Sequence, residues 1–568
     1  MKPFTTSLPV VRTLALAGAL ALGPTCSIAQ EKPQTGGTLN VGLVYYTLSP
    51  LSWDPADWPW KFGQDTGLMY EQLFAGDLTK ARSRGGKHGF VADAWLPSDA
   101  IRGELAESWK TLENPFRVEV KLRKGVMFPE KAGVMKSREL VAQDVVDTYS
   151  RLDKSPKKIP TYFDHIDKVE AVDKNTVLFT FKNYNAEWDY RFGWGYYSAI
   201  VPKEVADAGA KDWKNANGTG PFALTDYVQG NAATFTKNPL YWDKETIGGQ
   251  GYKLPFVDKI VYRTIKDEAT MQTALRTGKV DVLESVRWRA VEALQKSAPP
   301  LKWKRWVDTG GQFLAMRIDT KPFDDIRVRR AMNLAVNKQE IVKSYYGGNA
   351  DLFAYPMHPD YVGYYEPLDK MPAAAQELFT YNPAKAKALL AEAGYPAGFS
   401  FKMQVCSCSP DHMDLVPLVA AYLEKVGVKV EIQPLEYGAF LSAMTTKTNA
   451  AGYFMRNGHT NPTTSVRKSF VTKQTWNPSQ YSDPEFDKRM ADVYLERDEG
   501  KRQLLIKLMT RDIVEKAPYI WLPTPYVYTA YWPWVKNYDG ELRVGAERPG
   551  PIHARIWIDQ AMKKKMGF

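Results

Sequence analysis

LAESW at residues 105–109 is followed by LRKGVMF at residues 122–128 and by VAQDV at residues 141–145. Apolar and polar side chains alternate over residues 118–122, which predicts a strand. Residues 142–149 have the apolar spacing of a helix start. This part of the chain is therefore predicted to place a strand before a helix.

The same switch between strand and helix periods recurs along the rest of the chain. Strand patterns occur at residues 38–47, 176–181, 257–265, 280–283 and 428–432, and helical patterns at residues 267–277, 327–336, 383–393 and 415–426. Alternation of the two predicts α/β layers.

The N-terminal segment has the pattern of a secretory signal. Lys2 and Arg12 precede an apolar run at residues 14–22, and small residues follow at 27–29. This order predicts a cleavable signal peptide at residues 1–29, and the run is shorter than the roughly 20 residues that span a bilayer. We therefore expect export to the periplasm. Lipidation at Cys26 is not expected, because the preceding residues are a poor lipidation motif.

Charge and composition argue against nucleic-acid binding and against catalysis. The formal net charge is +11, but the basic residues are interspersed, without the basic stripe of a nucleic-acid-binding surface. Lys563–Lys565 is the exception and is predicted to be a solvated terminus. The six histidines form no H-E-x-x-H pair, and neither G-x-S-x-G nor a P-loop occurs. No enzyme activity and no cofactor are predicted.

More motifs follow in a fixed order: GTGPF at 218–222, NPLYW at 238–242, PFVDKI at 255–260, PFDDIRVRRA at 322–331 and an NP…EAGYP block at 382–396. With the three opening motifs, this series resembles the family 5 extracellular solute-binding proteins, the receptors of peptide and nickel ABC importers. The resemblance covers essentially the whole chain after residue 29. The glycines and prolines of these motifs suit turns and helix ends, so they identify a scaffold and leave the ligand open.

The resemblance implies a periplasmic-binding-protein-like α/β fold of the large peptide-binding type, with two lobes around a ligand cleft and an additional domain. The expected division is lobe I at 30–60, 198–318 and 522–568, the additional domain at 61–197, and lobe II at 319–521. Closure of such lobes is a hinge motion.

The implied function is capture of a peptide or peptide-like solute and its delivery to an ABC permease and ATPase complex at the inner membrane, by a monomer. An oligosaccharide, an opine-like conjugate or another organic acid is the alternative cargo. A sensor or chaperone on the same fold is the alternative role. Within transport, nickel or haem is a minor alternative cargo.

Two charged clamps of peptide-binding relatives are missing from this sequence. Peptide binders resemble one another in a late loop, GWxxDxxDP, whose aspartate holds the peptide ammonium. The corresponding stretch here is FMRNGHTNP at residues 454–462. Gly458 and Asn461 stand at the two acidic positions. Dipeptide binders also place an arginine for the carboxylate in a stretch that here is residues 405–410 and contains none. This lowers the expectation for free di- and tripeptides.

Candidate ligand contacts come from loops that the resemblance places at the cleft. Rings of the first loop can stack on a ligand, and Asp54 can either pair with a cation or cap its own turn. Cys406 and Cys408 can be free thiols, a small strained disulfide ring or, with Asp411, His412 and Met413, a soft metal site; no metal is predicted. The predicted ligand-binding residues are Tyr45, Tyr46, Trp53, Asp54, Trp58, Trp60, Cys406, Cys408, Arg456, Asn457, His459 and Asn461.

Overall fold

A computed structural model describes residues 31–43, 52–57, 63, 66–91, 95–156, 163–308, 310–458 and 461–568. The strands are β1 Thr38–Leu43, β2 Phe74–Gly76, β3 Ile101–Gly103, β4 Ala106–Leu112, β5 Arg117–Leu122, β6 Met127–Phe128, β7 Arg138–Glu139, β8 Ile166–Asp173, β9 Thr176–Phe181, β10 Phe222–Val228, β11 Ala232–Lys237, β12 Lys244–Ile247, β13 Gln250–Lys253, β14 Lys259–Thr264, β15 Val282–Arg287, β16 Lys302–Val307, β17 Gly310–Met316, β18 Ala350–Asp351, β19 Phe399–Cys406, β20 Val428–Leu435, β21 Gly452–Gly458, β22 Tyr519–Trp521, β23 Thr524–Tyr531, β24 Val535–Lys536 and β25 Trp557–Ile558.

The α-helices are α1 Ala142–Asp153, α2 Lys203–Gly209, α3 Glu268–Arg276, α4 Trp288–Ser297, α5 Ile326–Ala335, α6 Lys338–Glu340, α7 Ala373–Glu377, α8 Pro383–Glu392, α9 Pro410–Glu424, α10 Tyr437–Thr445, α11 Pro462–Phe470, α12 Pro484–Leu495, α13 Glu499–Lys516, α14 Gly550–Arg555 and α15 Gln560–Lys565. Among the described residues, no helix combines the length and the apolar character needed to cross a bilayer.

Two large sheets form the centres of the two lobes. The first has the order β10-β11-β14-β1-β15-β23-β16, with β18 paired to β23, and the second has the order β20-β19-β21-β17-β22. Apolar side chains cover both faces of the second sheet, in two separate buried clusters. A third sheet, β4-β5-β9-β8, lies in the region predicted to be the additional domain.

Two of the chain's crossings between the two large sheets lie side by side. β16 ends at Val307 in the first sheet and β17 begins at Gly310 in the second; β22 ends at Trp521 in the second and β23 begins at Thr524 in the first. The backbone N–H of Asp308 donates to the carbonyl of Pro525 at 3.0 Å, which joins the two crossings. The sequence-based boundary at 318 differs from this crossing, because β17 is a continuous buried strand that pairs with β21 and β22.

The GTGPF motif has a packing role. Gly220 donates its N–H to the carbonyl of Met69 at 2.7 Å. A Cβ at Gly220 would lie 2.5 Å from that same oxygen and 2.7 Å from the carbonyl oxygen of Leu68. The motif therefore requires glycine where two backbone segments touch.

We expect Gly220→Ala to lower the free energy of unfolding by about 1–3 kcal/mol, because the added methyl forces backbone atoms apart. Gly251→Ala is the matched control, since a Cβ there meets nothing within 4 Å. The thermal unfolding midpoints of the two variants test this. Equal midpoints would show that the close approach at Gly220 carries no stability.

The C-terminal helix α15 is fastened to the first sheet. Lys563 Nζ lies 2.7 Å from Oδ1 of Asp281, whose side chain is fully buried. The ring of Phe568 lies 4.8 Å from that of Trp532 and 5.0 Å from that of Trp534, centroid to centroid. The prediction of a solvated lysine tail is therefore wrong for Lys563, since an acid 282 residues earlier in the chain binds it.

Candidate functional site

We refer to the junction where the two crossings meet, between the two sheets, as the cleft floor. Asp308 lies on the first crossing, and its Oδ1 accepts a hydrogen bond from the N–H of Gly310 at 3.1 Å. On the second crossing, the N–H of Leu522 donates to the carbonyl of Gln312 at 3.3 Å. These contacts order the backbone where the chain passes from one large sheet to the other.

Arg456 lies beside this floor, near the end of β21. Its Nη2 is 2.8 Å from Oδ1 of Asp308, and 46% of its side chain remains exposed. A Cβ at Gly310 would lie 1.9 Å from Nε of Arg456, so the glycine leaves the room that the guanidinium stem occupies. A half-exposed guanidinium beside a cleft floor can present N–H donors to a ligand carboxylate.

The two predicted asparagines have protein partners. Asn457 is buried, and its Nδ2 donates to Oγ of Ser469 at 2.9 Å. Asn461 is the N-cap of α11, and its Oδ1 accepts from the N–H of Thr464 at 2.7 Å. Asn461 therefore fills a capping role that asparagine suits well.

Two residues of the first loop that were predicted to contact the ligand have partners within the protein. Trp53 is 1% exposed, and its ring meets that of Tyr227 edge-on at 4.9 Å. Asp54 accepts from Ala56 N–H at 2.9 Å, as expected for a turn cap, and it also pairs with Arg151 at 2.6 Å. The carboxylate of Asp54 thus already has a cationic partner. Tyr45, Tyr46, Trp58, Trp60 and His459 lie outside the described residues.

Cys406 and Cys408 form a disulfide, which settles the alternatives that the sequence left open. Cys406 is buried at the end of β19, whereas Cys408 is exposed. The neighbouring His412 is buried, and this burial, assisted by the charge of Arg456, lowers the pKa of its imidazole to about 3. Within the described ranges, no group of three His, Cys, Asp or Glu side chains is placed to hold a metal.

A contact that was not predicted joins the segments at 186–187 and 464, which the sequence assigns to the additional domain and to lobe II. Glu187 is buried and pairs with Arg191 at 3.3 Å, while its Oε1 accepts from Oγ1 of Thr464 in the first turn of α11 at 3.3 Å. The N–H of Ala186 donates to the carbonyl of Tyr494 at 2.8 Å. Because 277 residues separate Glu187 from Thr464, no local sequence pattern could have signalled this pairing.

A sequence profile of bacterial extracellular solute-binding proteins, family 5 (middle region), matches residues 100–478. The chain belongs to this family. The resemblance seen in the motifs is thereby confirmed, and so is the α/β binding-protein fold.

Curated relatives cover most of the chain. "Di/tripeptide-binding protein 1" of Pseudomonas aeruginosa is 27% identical over 83% of this chain and 86% of its own length. "Heme-binding protein A" of Haemophilus influenzae is 26% identical over 78% of this chain and 82% of its own. Members of this family thus carry names for different ligands.

Among solved structures, the periplasmic binding protein DppA of Helicobacter pylori, in complex with the peptide STSA, superimposes with a TM-score of 0.75. It is 25% identical and covers 93% of this chain and 99% of its own. The whole two-lobed architecture is therefore shared with this ABC transporter-associated protein.

Proposed function

We propose that this protein is the periplasmic substrate-binding component of an ABC importer, which encloses a peptide or peptide-like solute between its lobes and delivers it to the permease. The observation that carries the proposal is the pair of adjacent crossings between two sheets, in a chain of family 5. Such a paired connection permits hinge closure around a ligand. Among the alternatives drawn from the sequence, the names of the relatives favour peptide cargo.

The charges near the cleft floor define what kind of peptide fits. The stretch from Ala450 to Asn461 contains no acid that could hold a ligand ammonium. Asp54 and Asp308 are already paired with Arg151 and Arg456. We therefore assign recognition to two features of the ligand. Arg456 binds its carboxylate, and contacts to its backbone do not depend on the ligand's side chains. A buried ammonium without a carboxylate partner would be costly, so a blocked or modified amino terminus suits this cleft.

Mass spectrometry of the ligand released from denatured, natively purified protein tests the proposal. We expect fragment ions separated by amino-acid residue masses and ending in a free carboxylate. Protein carrying Arg456→Ala, purified in parallel, is the control and should retain less of the same compound. Release of a sugar or of a compound without amide bonds would contradict the proposal.

A further inference from the structure

Ion pairs join the two lobes at one edge of the cleft. Arg287 ends β15 in the first sheet, and its Nη2 pairs with Asp411 in the first turn of α9, a helix that packs on β19 and β20 of the second. Arg289 reaches Asp414 on the same helix at 3.1 Å. Separating the lobes at this edge therefore requires breaking these contacts. We refer to the four residues as the interlobe ion pairs.

The turn that leads into α9 is the one closed by the disulfide. Cys406 is the last residue of β19, and Ser409 is the N-cap of α9. The N–H of Ser409 donates to the carbonyl of Cys406 at 3.3 Å, and the N–H of Cys408 approaches Sγ of Cys406 at 3.3 Å. The covalent link thus fixes how the strand passes into the turn that carries Asp411.

Only one of the two cysteines in the disulfide is exposed to solvent. Cys408 is exposed and Cys406 is buried. A thiolate can reach the sulfur of Cys408, whereas Cys406 is the shielded partner and the natural leaving group.

We propose that the Cys406–Cys408 disulfide is a redox-sensitive positioning element, which holds the first turn of α9 in place for the interlobe ion pairs. The reductant is a small thiol or dithiol. Its thiolate attacks the sulfur of Cys408, the bond to Cys406 breaks, and the Cys406 thiolate takes up a proton. A second thiolate then attacks the reductant's sulfur in the mixed disulfide, and Cys408 leaves as a thiolate that takes up a proton. The two reductant sulfurs end joined in a disulfide, so two electrons pass to the protein. The freed turn holds Asp411 and Asp414 less firmly, and the lobes separate more readily.

Hydrogen exchange followed by mass spectrometry tests this without any ligand. Reduction of the folded protein with dithiothreitol is expected to speed exchange at residues 287–290 and 411–414 by about threefold, the scale of a partly exposed ion pair. The double variant Cys406→Ser, Cys408→Ser should behave like the reduced protein. Alkylation before and after reduction counts the free cysteines and verifies each state.

Two variants distinguish an effect of the disulfide on the interlobe ion pairs from a general loosening of the protein. Asp411→Asn with Asp414→Asn should show the faster exchange at 287–290 already when oxidised, with no further increase on reduction. Glu292→Gln, on the exposed pair with Lys296 within α4, should leave the response of the wild type unchanged. Verified reduction without a change at 287–290, or an equal increase in the Asp411→Asn, Asp414→Asn protein, would overturn the proposal. So would two alkylated cysteines before reduction.

The inference rests on the proposed function only for its consequence, a lower ligand affinity in the reduced state. The exchange readout needs no ligand. Failure to bind peptides would therefore refute the proposed function and leave the disulfide's positioning role to be judged separately.

Discussion

Arg548→Ala is expected to lower the free energy of unfolding by about 3–5 kcal/mol, which is the cost of leaving a buried charge without its partner. Arg548 and Glu104 are both 0% exposed, and Nη2 of Arg548 lies 2.7 Å from Oε1 of Glu104. Glu104 also accepts the N–H of Gln72 at 2.8 Å. After the substitution, the carboxylate would remain buried with too few donors. Urea unfolding followed by tryptophan fluorescence measures the loss.

The control for this prediction is an ion pair of the same length at the surface. Lys296 and Glu292 are 2.6 Å apart, with side chains 75% and 79% exposed. Glu292→Gln should leave the urea midpoint unchanged, because exposed pairs contribute little. A loss below about 1 kcal/mol for Arg548→Ala would mean that Glu104 takes up a proton or finds other partners at low cost.

Arg456→Ala is expected to weaken binding of a peptide with a free carboxylate by roughly 2 kcal/mol, or about 30-fold, because the closed cleft would bury that carboxylate without its cation. Titration calorimetry with a tetrapeptide that has an acetylated amino terminus and a free carboxylate measures this. The same peptide as a C-terminal amide is the matched ligand and should bind the wild type and the variant equally.

Asp308→Asn separates the role of Arg456 in binding from its role at the crossing. This change removes the charged partner of Arg456 and leaves the guanidinium in place, so preference for the free carboxylate should persist or increase. Loss of the preference in Asp308→Asn, or its survival in Arg456→Ala, would contradict the assignment of Arg456 as the carboxylate contact.

The sequence predicted those parts of the fold that depend on local signals. Asn382 and Pro383 mark the start of α8, where Oδ1 of Asn382 accepts the N–H of Lys385 at 2.9 Å. The strand pattern at residues 428–432 lies within β20, Val428–Leu435. Such features follow from neighbouring residues, since capping and periodicity act within a few positions.

The boundary that the sequence predicts between the lobes, at residue 318, does not coincide with the crossing from β16 to β17, for a physical reason. The buried run of β17 reads as a strand whichever sheet it joins, and only its pairing with β21 and β22 assigns it to the second sheet. Pairing is a long-range property, and a single strand pattern does not contain it.

The site was harder to predict because its ion-pair partners are distant from one another in the sequence. Asp308 and Arg456 meet across the junction of the two sheets, and Arg287 meets Asp411 across the cleft edge. The sequence left Asp54 open between a turn cap and a partner for a cation, and nothing in the sequence indicated Arg151, its ion-pair partner. The sequence could predict which types of residue lie at the site, but it could not predict which ion-pair partner each charged side chain has.

The fastening of α15 to the first sheet has a practical consequence for handling the protein. Phe568 packs beside Trp532 and Trp534, and Lys563 neutralises the buried Asp281. Phe568 is 42% exposed, so an affinity tag fused behind it would start at the surface, next to the contacts that hold α15 on lobe I. A tag placed ahead of β1, where Glu31 is exposed, would leave the corner intact.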